Sequence, residues 1–355
     1  MSKTIDINDV ELEQFQGRVF ADLAAGYGGV MISLGAKLGL YAALAGAGPL
    51  TSADVAQRTD CAERYVREWL NSQAAGGYLD YDRELKTYTL SPERAAVLAD
   101  PESPAHLTPA FDVVASMWLD EHLAIEAFRT GKGVPWGAHH ERLSNGVAAF
   151  FRTGYQAMLV PEWLPAMDDV VAKLEAGATV ADIGCGHGHS TVLMAEAFAN
   201  SRFHGYDTHA GSIEAARENA VTAGVADRVT FEIGTAHDYA ERGFDLICFF
   251  DCLHDMGDAL GAARHARSAL APGGSVMLVE PAAADDAADN VGPIARLYYS
   301  ASTTLCCAHA LSEGSEALGA QAGEARLAEL FHEADFGDWN VVARTPFNLI
   351  AQVRT

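Results

Sequence analysis

Three glycines alternate with other residues just after a short apolar segment in the middle of this 355-residue chain. The segment begins at Thr179 and continues into Asp182-Ile-Gly184-Cys-Gly186-His-Gly188. Glycine allows a sharp backbone turn and a close approach to a ligand, and a helix that follows directs its free N–H groups at that ligand. The pattern therefore predicts a strand, a ligand-binding loop and a helix.

The spacing of the glycines separates the nucleotide classes. A dinucleotide-binding fingerprint has a small residue where this chain has His189, and a P-loop has a lysine after its last glycine. The pattern D-x-G-x-G-x-G suits S-adenosylmethionine (SAM), which has no phosphates. Asp207 ends the next apolar segment, nineteen residues after Gly188, where an acid can accept hydrogen bonds from both ribose hydroxyls. These residues together favour a SAM site.

A second group of reactive side chains follows the apolar run FDLICFF, in Asp251-Cys-Leu-His254-Asp255-Met-Gly-Asp258. Methyl transfer from SAM needs a base only if the acceptor loses a proton, and a histidine with a pKa of about 6.5 can act as one at neutral pH. Two other roles are open for this segment: the acids could begin a helix or bind Mg²⁺. We expect no metal, because such acids are ordinary helix caps.

Strand-like and helix-like segments alternate from Thr179 onward, with short loops between them. The strand-like segments are TVADIG, RFHGYD, RVTFEIG, FDLICFF and GGSVMLVEP, and a strand pair is expected in WNVVARTPFNLIAQVRT. This order predicts an α/β fold with a Rossmann-like, doubly wound and mainly parallel sheet. Ligands bind such sheets outside the carboxyl ends of the strands, where the glycines, Asp207 and His254 fall.

The first hundred residues are predicted to be mainly helical. Helices are expected over 30–46, from Thr51 with Asp54 as its capping partner, and over 62–75, and a tyrosine-rich hairpin follows. This is a winged-helix pattern, which raises DNA binding as a role. The segment 51–94 carries eight acidic and six basic residues, and the chain has a formal net charge of −24. Since DNA binding needs a basic face, we expect the domain to serve dimerisation.

We expect three regions: a winged-helix dimerisation domain over 1–105, a helical connector and substrate lid over 106–170, and a SAM-binding methyltransferase domain over 171–355. Aromatic residues are frequent in the connector. The candidates for substrate contact are Trp136, Tyr155, Tyr298 and Tyr299.

The start of the chain lacks the basic and apolar regions of a signal peptide. The apolar stretch GVMISLGAKLGLYAALAG contains Lys37 and many small residues, so it is expected to form a buried helix and not a membrane span. The six cysteines include no C-x-x-C pair and are expected to be reduced. The sequence thus favours a cytoplasmic protein with neither a membrane nor a nucleic acid as its partner.

The run from Ala178 to Pro281 resembles a class I SAM-dependent methyltransferase. The similarity rests on the glycine loop, on Asp207 and on the segments FFDCLHDMGD and LAPGGSVMLVEP. The segment MISLGAKLGLYAALAGAGPLTSADVAQRTDCAERYVREWLNSQAAGGYL is similar to the winged-helix domain at the front of many small-molecule methyltransferases, among them plant-type O-methyltransferases and mycobacterial-type enzymes. In such relatives this domain mainly forms a homodimer and helps to close the pocket.

The resemblance implies a set of contacts for SAM and its product S-adenosylhomocysteine (SAH). These contacts are Asp182, Gly184, Gly186, Gly188, Asp207, Thr208, Thr235, Ala236 and Asp251. One position departs from the family pattern. An acid after the third strand often holds the adenine amino group, and this chain has Thr235 there, with Asp238 as the alternative partner.

The segment around His254 resembles the Leu-His-Asp-Trp segment of plant-type O-methyltransferases, whose histidine is the general base. Met256 replaces the tryptophan, Glu280 matches the acid that orients the base, and Glu324 is a candidate for the family's second acid. A carboxylate that holds an imidazole fixes its tautomer and stabilises its protonated form. The resemblance therefore implies O-methylation of a small, aromatic or hydroxylated acceptor.

Two other functions stay open at this point. Methylation of nitrogen, sulfur or carbon would need no base, and His254 would then only shape the pocket. A SAM-sensing regulator would use the winged helix on DNA, and salt-dependent DNA binding that responds to SAM would identify it.

Overall fold

The structure is a computed structural model that describes residues 7–240, 242–314 and 316–355. The chain forms two compact units, of which the first ends at Asp112 and the second covers Val113–Thr355. The predicted domain limits at residues 105 and 170 remain predictions.

The first unit has the predicted order of helices and a hairpin. The capping box predicted at Thr51 is confirmed: the Thr51 hydroxyl accepts a hydrogen bond from the Asp54 amide (3.2 Å), and the Asp54 carboxylate accepts one from the Thr51 amide (2.9 Å). The elements are α1 (Asp9–Lys37), α2 (Leu40–Leu44), α3 (Ser52–Thr59), α4 (Glu63–Ala75), β1 (Asp80–Asp82), β2 (Thr87–Thr89) and α5 (Pro92–Leu98).

The single helix predicted over 30–46 is wrong. Helix α1 ends at Lys37, and α2 begins after Gly39, which adopts a left-handed conformation (φ 67°) that interrupts regular helix. Ile32, Tyr41 and Trp69 belong to the apolar core of this unit. The core is therefore built from the end of α1, from α2 and from α4.

Helix α1 leaves most of its apolar surface exposed. By length and composition it could cross a membrane, and 11% of its most apolar window is buried in the structure. The expectation of a buried helix over GVMISLGAKLGLYAALAG is wrong for the part in α1, because Ile32 and Gly35 are buried whereas Val30 and Leu34 are exposed.

The second unit begins with helices that lead towards its sheet. A 3₁₀ turn, Trp136–Ala138, precedes the amphipathic helix α8, and a π-helical turn, Leu159–Trp163, follows it. Leu143 and Tyr155 of α8 are buried. These helices are α6 (Ala110–Leu119), α7 (Glu121–Thr130), α8 (Arg142–Met158), α9 (Leu164–Ala166) and α10 (Val170–Ala176).

A seven-stranded sheet forms the centre of the second unit and confirms the predicted Rossmann-like fold. Its strand order is β5-β4-β3-β6-β7-β9-β8; the first five of these strands are parallel, and the last two pair antiparallel. The strands are β3 (Thr179–Ile183), β4 (Arg202–Asp207), β5 (Val229–Ile233), β6 (Phe244–Phe250), β7 (Leu270–Pro281), β8 (Asp338–Arg344) and β9 (Asn348–Arg354).

Helices connect and cover the strands. Strand β6 shows why its sequence is continuously apolar: Leu246, Cys248 and Phe250 lie in one apolar core, while Ile247 and Phe249 lie in the other. The helices are α11 (His189–Ala197), α12 (Ala210–Thr222), α13 (Ala259–Ala269), α14 (Pro293–Ala301), α15 (Cys307–Ser312) and α16 (Glu324–Glu333). A 3₁₀ turn, Leu253–Asp255, follows β6, and a π-helical turn, Ser302–Cys306, joins α14 to α15.

Candidate functional site

A cavity of about 460 Å³ lies at the carboxyl ends of β3, β4, β5 and β6, where the sequence predicts a ligand. Its volume is typical of small-molecule and cofactor sites. Helix α8 adds an apolar and aromatic wall that includes Val147 and Phe151. The predicted site residues that line the cavity are Gly184, Gly186, Asp207, Thr208, Thr235, Ala236, Asp251, Trp136 and Tyr155.

The glycines of the loop after β3 serve different purposes. Gly186 and Gly188 both have a left-handed φ, of 52° and 71°, which side chains disfavour. A Cβ atom at Gly188 would lie 2.4 Å from the Phe231 ring, so packing requires this glycine, and it does not line the cavity. At Gly186 a Cβ atom would meet no atom within 4 Å. The loop therefore leaves open space for a ligand at Gly186.

Asp182 lies behind the glycine loop and does not line the cavity. Its Oδ2 accepts hydrogen bonds from the hydroxyls of Ser190 (2.7 Å) and Thr191 (2.6 Å), which fixes the start of α11 against β3. Burial raises the pKa of Asp182 to about 6. Its observed contacts thus support the loop, and its direct contact with SAM remains a prediction.

Asp207 ends β4 and lies at the cavity. Its Oδ2 accepts a hydrogen bond from the Gly186 amide (2.9 Å), and its Oδ1 accepts one from the His209 amide (2.8 Å). Burial raises the pKa of Asp207, and these two hydrogen bonds lower it part of the way. Each carboxylate oxygen can still accept another hydrogen bond, so Asp207 fits the predicted role with the ribose hydroxyls.

The loop after β5 contains Thr235, the position at which this chain departs from the family pattern of an acid. The Thr235 hydroxyl donates to Asp238 Oδ1 (2.7 Å), and the Thr235 amide donates to the same oxygen (3.0 Å). Thr235 and Ala236 line the cavity, whereas Asp238 does not. The carboxylate of Asp238 thus stabilises the loop to which it belongs.

His254 and Glu280 meet as predicted, at the ends of neighbouring strands. Glu280 Oε2 lies 2.5 Å from His254 Nδ1, and Glu280 Oε1 accepts a hydrogen bond from the Leu253 amide (3.0 Å). Burial alone would lower the pKa of His254, but the Glu280 carboxylate and the Cys306 thiol raise it well above its ordinary value. Glu280 thus orients the His254 ring and favours its protonated form.

Neither member of this pair lines the cavity. His254 is 4% exposed, and the Cys306 thiol at the end of the π-helical turn is close enough to influence its pKa. Since Glu280 holds Nδ1, Nε2 is the nitrogen that a base would use. No sequence motif indicates that Cys306 lies near His254, because the two residues are fifty-two positions apart in the chain.

Three other candidates also lie away from the cavity. Tyr298 and Tyr299 are absent from its lining, and the Tyr298 hydroxyl donates to the Phe347 carbonyl (2.9 Å). Glu324 forms an ion pair with Arg344 on the surface, so it does not flank His254 as the family's second acid would.

Acidic groups at the cavity are suited to a positively charged ligand. Asp251 has a strained, left-handed φ of 50°, its Oδ1 accepts a hydrogen bond from Asn348 Nδ2 (2.6 Å), and its buried Oδ2 has no partner among the described residues. Burial raises the pKa of Asp255 to about 7. The sulfonium and ammonium groups of SAM are cations, so these residues fit the predicted cofactor.

The alternative of Mg²⁺ at the acids after β6 can be compared with their contacts. Asp258 caps α13 by accepting a hydrogen bond from the Gly261 amide (2.8 Å), and Asp251 holds Asn348. Among the residues that the structure describes, no group of three or more His, Cys, Asp and Glu side chains is placed to hold a metal ion.

Two cavity residues were missed in the sequence. His309 and Glu313 line the cavity from α15 and the residue that follows it. Their spacing of four residues on a helix is a signal that could have found them, because it places both side chains on one face. The surrounding stretch, however, had no recognisable pattern.

The two parts of the chain each match a known domain. Residues 26–100 match the family model of the Rv2258c-like winged HTH domain, and residues 174–335 match a model described as a methyltransferase domain. The 27-O-demethylrifamycin SV methyltransferase of Amycolatopsis mediterranei is 36% identical over 107 residues, which are 30% of this chain and 39% of that relative. The match thus spans well under half the length of this curated relative.

Solved structures share the fold of almost the whole chain. Human N-acetylserotonin methyltransferase in complex with SAM has a TM-score of 0.68 at 18% identity, with 100% of this chain and 99% of that chain covered. The O-methyltransferase NcsB1 from neocarzinostatin biosynthesis, in complex with SAH and 1,4-dihydroxy-2-naphthoic acid, has a TM-score of 0.63 at 20% identity, with 95% and 98% covered.

The domain matches and the shared fold agree with the site geometry. The glycine loop and Asp207 lie at the carboxyl ends of the strands, where ligands bind doubly wound sheets. The chain therefore joins an Rv2258c-like winged helix-turn-helix domain to a methyltransferase domain.

Proposed function

We propose that the protein transfers the methyl group of SAM to a hydroxyl group of a small aromatic molecule. The observation that carries this proposal is the composition of the cavity. One end has the glycine loop and Asp207, and the other has Phe151, Tyr155 and Phe250. An apolar, aromatic wall with few polar groups suits a flat organic acceptor.

The chain's own residues have three tasks in this reaction. SAM supplies a methyl group that is already activated on sulfur. The loop and Asp207 hold the cofactor, and the aromatic wall orients the acceptor for an in-line displacement. Glu280 fixes the His254 ring so that Nε2 accepts the hydroxyl proton.

Methylation without a base is the second candidate, and one observation favours it. His254 is absent from the cavity lining, and Glu280 raises its pKa against the effect of burial, which favours the protonated form that cannot accept a proton. An acceptor nitrogen, sulfur or carbon that needs no deprotonation would then react in the cavity without using His254.

Turnover measured with defined phenolic acceptors distinguishes O-methylation with a base from methylation without one. The full-length protein would be incubated with SAM and 1,4-dihydroxy-2-naphthoic acid, along with simpler phenols, and SAH and the methylated product would be measured by mass spectrometry. His254→Ala should slow O-methylation by about 10²- to 10⁴-fold while SAH still binds. His332→Ala, which changes an exposed histidine of α16, is the matched control.

The possible results lead to different conclusions. Unchanged turnover in His254→Ala would contradict the base role and support the base-free reaction. SAM-responsive, salt-dependent DNA binding without any turnover would support the regulator instead. The net charge of −24 argues against that outcome.

We further propose that the protein is a cytoplasmic homodimer, with α1 in the contact between two copies. Phe20, Leu23, Tyr27, Val30 and Leu34 follow one another at alternating spacings of three and four residues, and all are exposed. This spacing is typical of a helix that packs along another helix.

A further inference from the structure

His309 and Glu313 lie on one face of α15 and its last turn, and both line the cavity. His309 Nε2 and Glu313 Oε1 are 3.7 Å apart, which is too far for a direct hydrogen bond. The proposed methyl transfer assigns neither residue a role.

Each side chain is oriented by a backbone amide from another segment. Glu313 Oε2 accepts a hydrogen bond from the Gly257 amide (2.8 Å). A Cβ atom at Gly257 would lie 2.5 Å from the Glu313 Cβ, so the glycine permits this close approach. His309 Nδ1 accepts a hydrogen bond from the Trp136 amide (3.3 Å). Glu313 Oε1 is left with no amide donor and lies on the side of His309.

The contacts of Gly257 connect Glu313 to the loop after β5. Gly257 precedes Asp258, whose carbonyl lies within hydrogen-bonding distance of His237 Nε2 (2.9 Å). His237 lines the cavity directly after Thr235 and Ala236. This loop lies beyond the ribose partner Asp207, on the side of the sheet where β5 forms the edge. Glu313 thus belongs to the adenine end of the cavity.

The other acids of the cavity have contacts of their own. Asp207 accepts two backbone amides at the ribose position, and Asp258 caps α13. Asp251 and Asp255 lie beside His254 and Glu280, whose charges act on both carboxyl groups. Glu313 is therefore an acid near the loop after β5 whose Oε1 accepts no hydrogen bond from a backbone amide of the described residues.

We propose that Glu313 Oε1 accepts a hydrogen bond from the adenine amino group of the cofactor. In this way the acid that directly follows α15 replaces the acid that is missing after β5, where Asp238 binds its own loop. The proposal rests on the proposed function only in that SAM and SAH are the ligands of the cavity.

Isothermal titration calorimetry on the full-length protein tests this assignment without any acceptor. The ligands are SAH, S-inosylhomocysteine, in which a carbonyl replaces the amino group, and the 2′-deoxy analogue of SAH. The variants are Glu313→Ala and Glu313→Gln, whose amide oxygen can still accept a hydrogen bond. Glu175→Gln, an exposed glutamate of α10, is the matched control, and thermal melting shows that each variant is folded.

The wild-type protein should bind SAH at least about tenfold more tightly than the inosyl analogue. Glu313→Ala should weaken SAH binding by about tenfold and remove this preference, while Glu313→Gln should keep part of it. The proposal is overturned if Glu313→Ala still prefers SAH over the inosyl analogue as strongly as the wild-type protein does. It is also overturned if the variant loses only the preference for SAH over the 2′-deoxy analogue, because that result would place Glu313 at the ribose. If SAH does not bind to the folded wild-type protein, the proposed function itself fails. Failure of the proposed function is thus seen in the wild-type protein, whereas failure of the Glu313 assignment is seen only in the variants.

Discussion

At the scale of single residues, the pair of His254 and Glu280 carries the proposed chemistry. The carboxylate at 2.5 Å both orients the imidazole and holds its proton. These two effects oppose each other, because a raised pKa favours the protonated form, which cannot accept a proton. The nearby Cys306 thiol raises the pKa of His254 in the same direction. The proposed base can therefore act only after it has lost this proton.

The pH dependence of O-methylation follows from this pair. His254 must lose its proton to act, so kcat/KM should rise with pH, and the midpoint of the rise should lie above the ordinary histidine pKa of about 6.5. Glu280→Gln removes the charge that raises the pKa, and burial then lowers it, so the rise should move to lower pH. A profile of kcat/KM against pH for both proteins checks this. A rise whose midpoint is the same in both would contradict the role of Glu280.

At the scale of elements, the unit of β3, the glycine loop and α11 positions the cofactor end of the site. Its three parts could be predicted from the sequence, because glycine spacing and apolar periodicity are local signals. The strands after it were predicted for the same reason. The break between α1 and α2 was missed, because Gly39 lies within a continuously apolar stretch.

The contacts that complete the site could not be predicted from the sequence. Cys306 lies near His254, from which it is 52 residues away in the chain. Glu313 accepts a hydrogen bond from Gly257, from which it is 56 residues away. Such pairs are fixed by how α14 and α15 pack against the loop after β6, and no local pattern encodes that packing. For Asp182 the sequence motif was recognised, but the observed contacts differ from the predicted one. Asp182 accepts hydrogen bonds from Ser190 and Thr191 behind the glycine loop, and these bonds support that loop.

The different purposes of the loop glycines can be separated by mutation. Gly188→Ala would add both a left-handed alanine and a clash with Phe231, so it should lower the free energy of unfolding by about 2–4 kcal/mol. Gly186→Ala meets no atoms and should cost only about 1–2 kcal/mol. Urea denaturation of the two variants measures this difference. Equal losses of stability would contradict the packing role assigned to Gly188.

At the scale of the whole molecule, the protein combines a methyltransferase domain with a winged helix-turn-helix domain that has no excess of basic residues. The acidic surface disfavours nucleic acid as a partner. The exposed stripe of α1 instead favours a second copy of the chain, in agreement with the proposed homodimer.

Substitution in the exposed apolar stripe of α1, formed by Phe20, Leu23, Tyr27, Val30 and Leu34, tests the homodimer. Phe20→Glu combined with Tyr27→Glu should convert a dimer into a monomer, because charges would replace two of the most exposed aromatic side chains of the stripe. Light scattering after gel filtration measures the molar mass. Tyr65→Glu, at an equally exposed tyrosine of α4, should leave the dimer intact. A wild-type monomer that binds lipid vesicles through α1 would contradict the proposal.

The central claim is that the cavity at the carboxyl ends of the strands holds SAM through Asp207. Calorimetric titration of the full-length protein with SAH tests it most directly, with Asp207→Ala as the variant and Asp227→Ala, an exposed aspartate, as the control. SAH should bind the wild-type and control proteins alike, NAD and ATP should not compete, and Asp207→Ala should weaken binding at least about tenfold. Wild-type affinity in Asp207→Ala, or displacement of SAH by NAD, would contradict the claim.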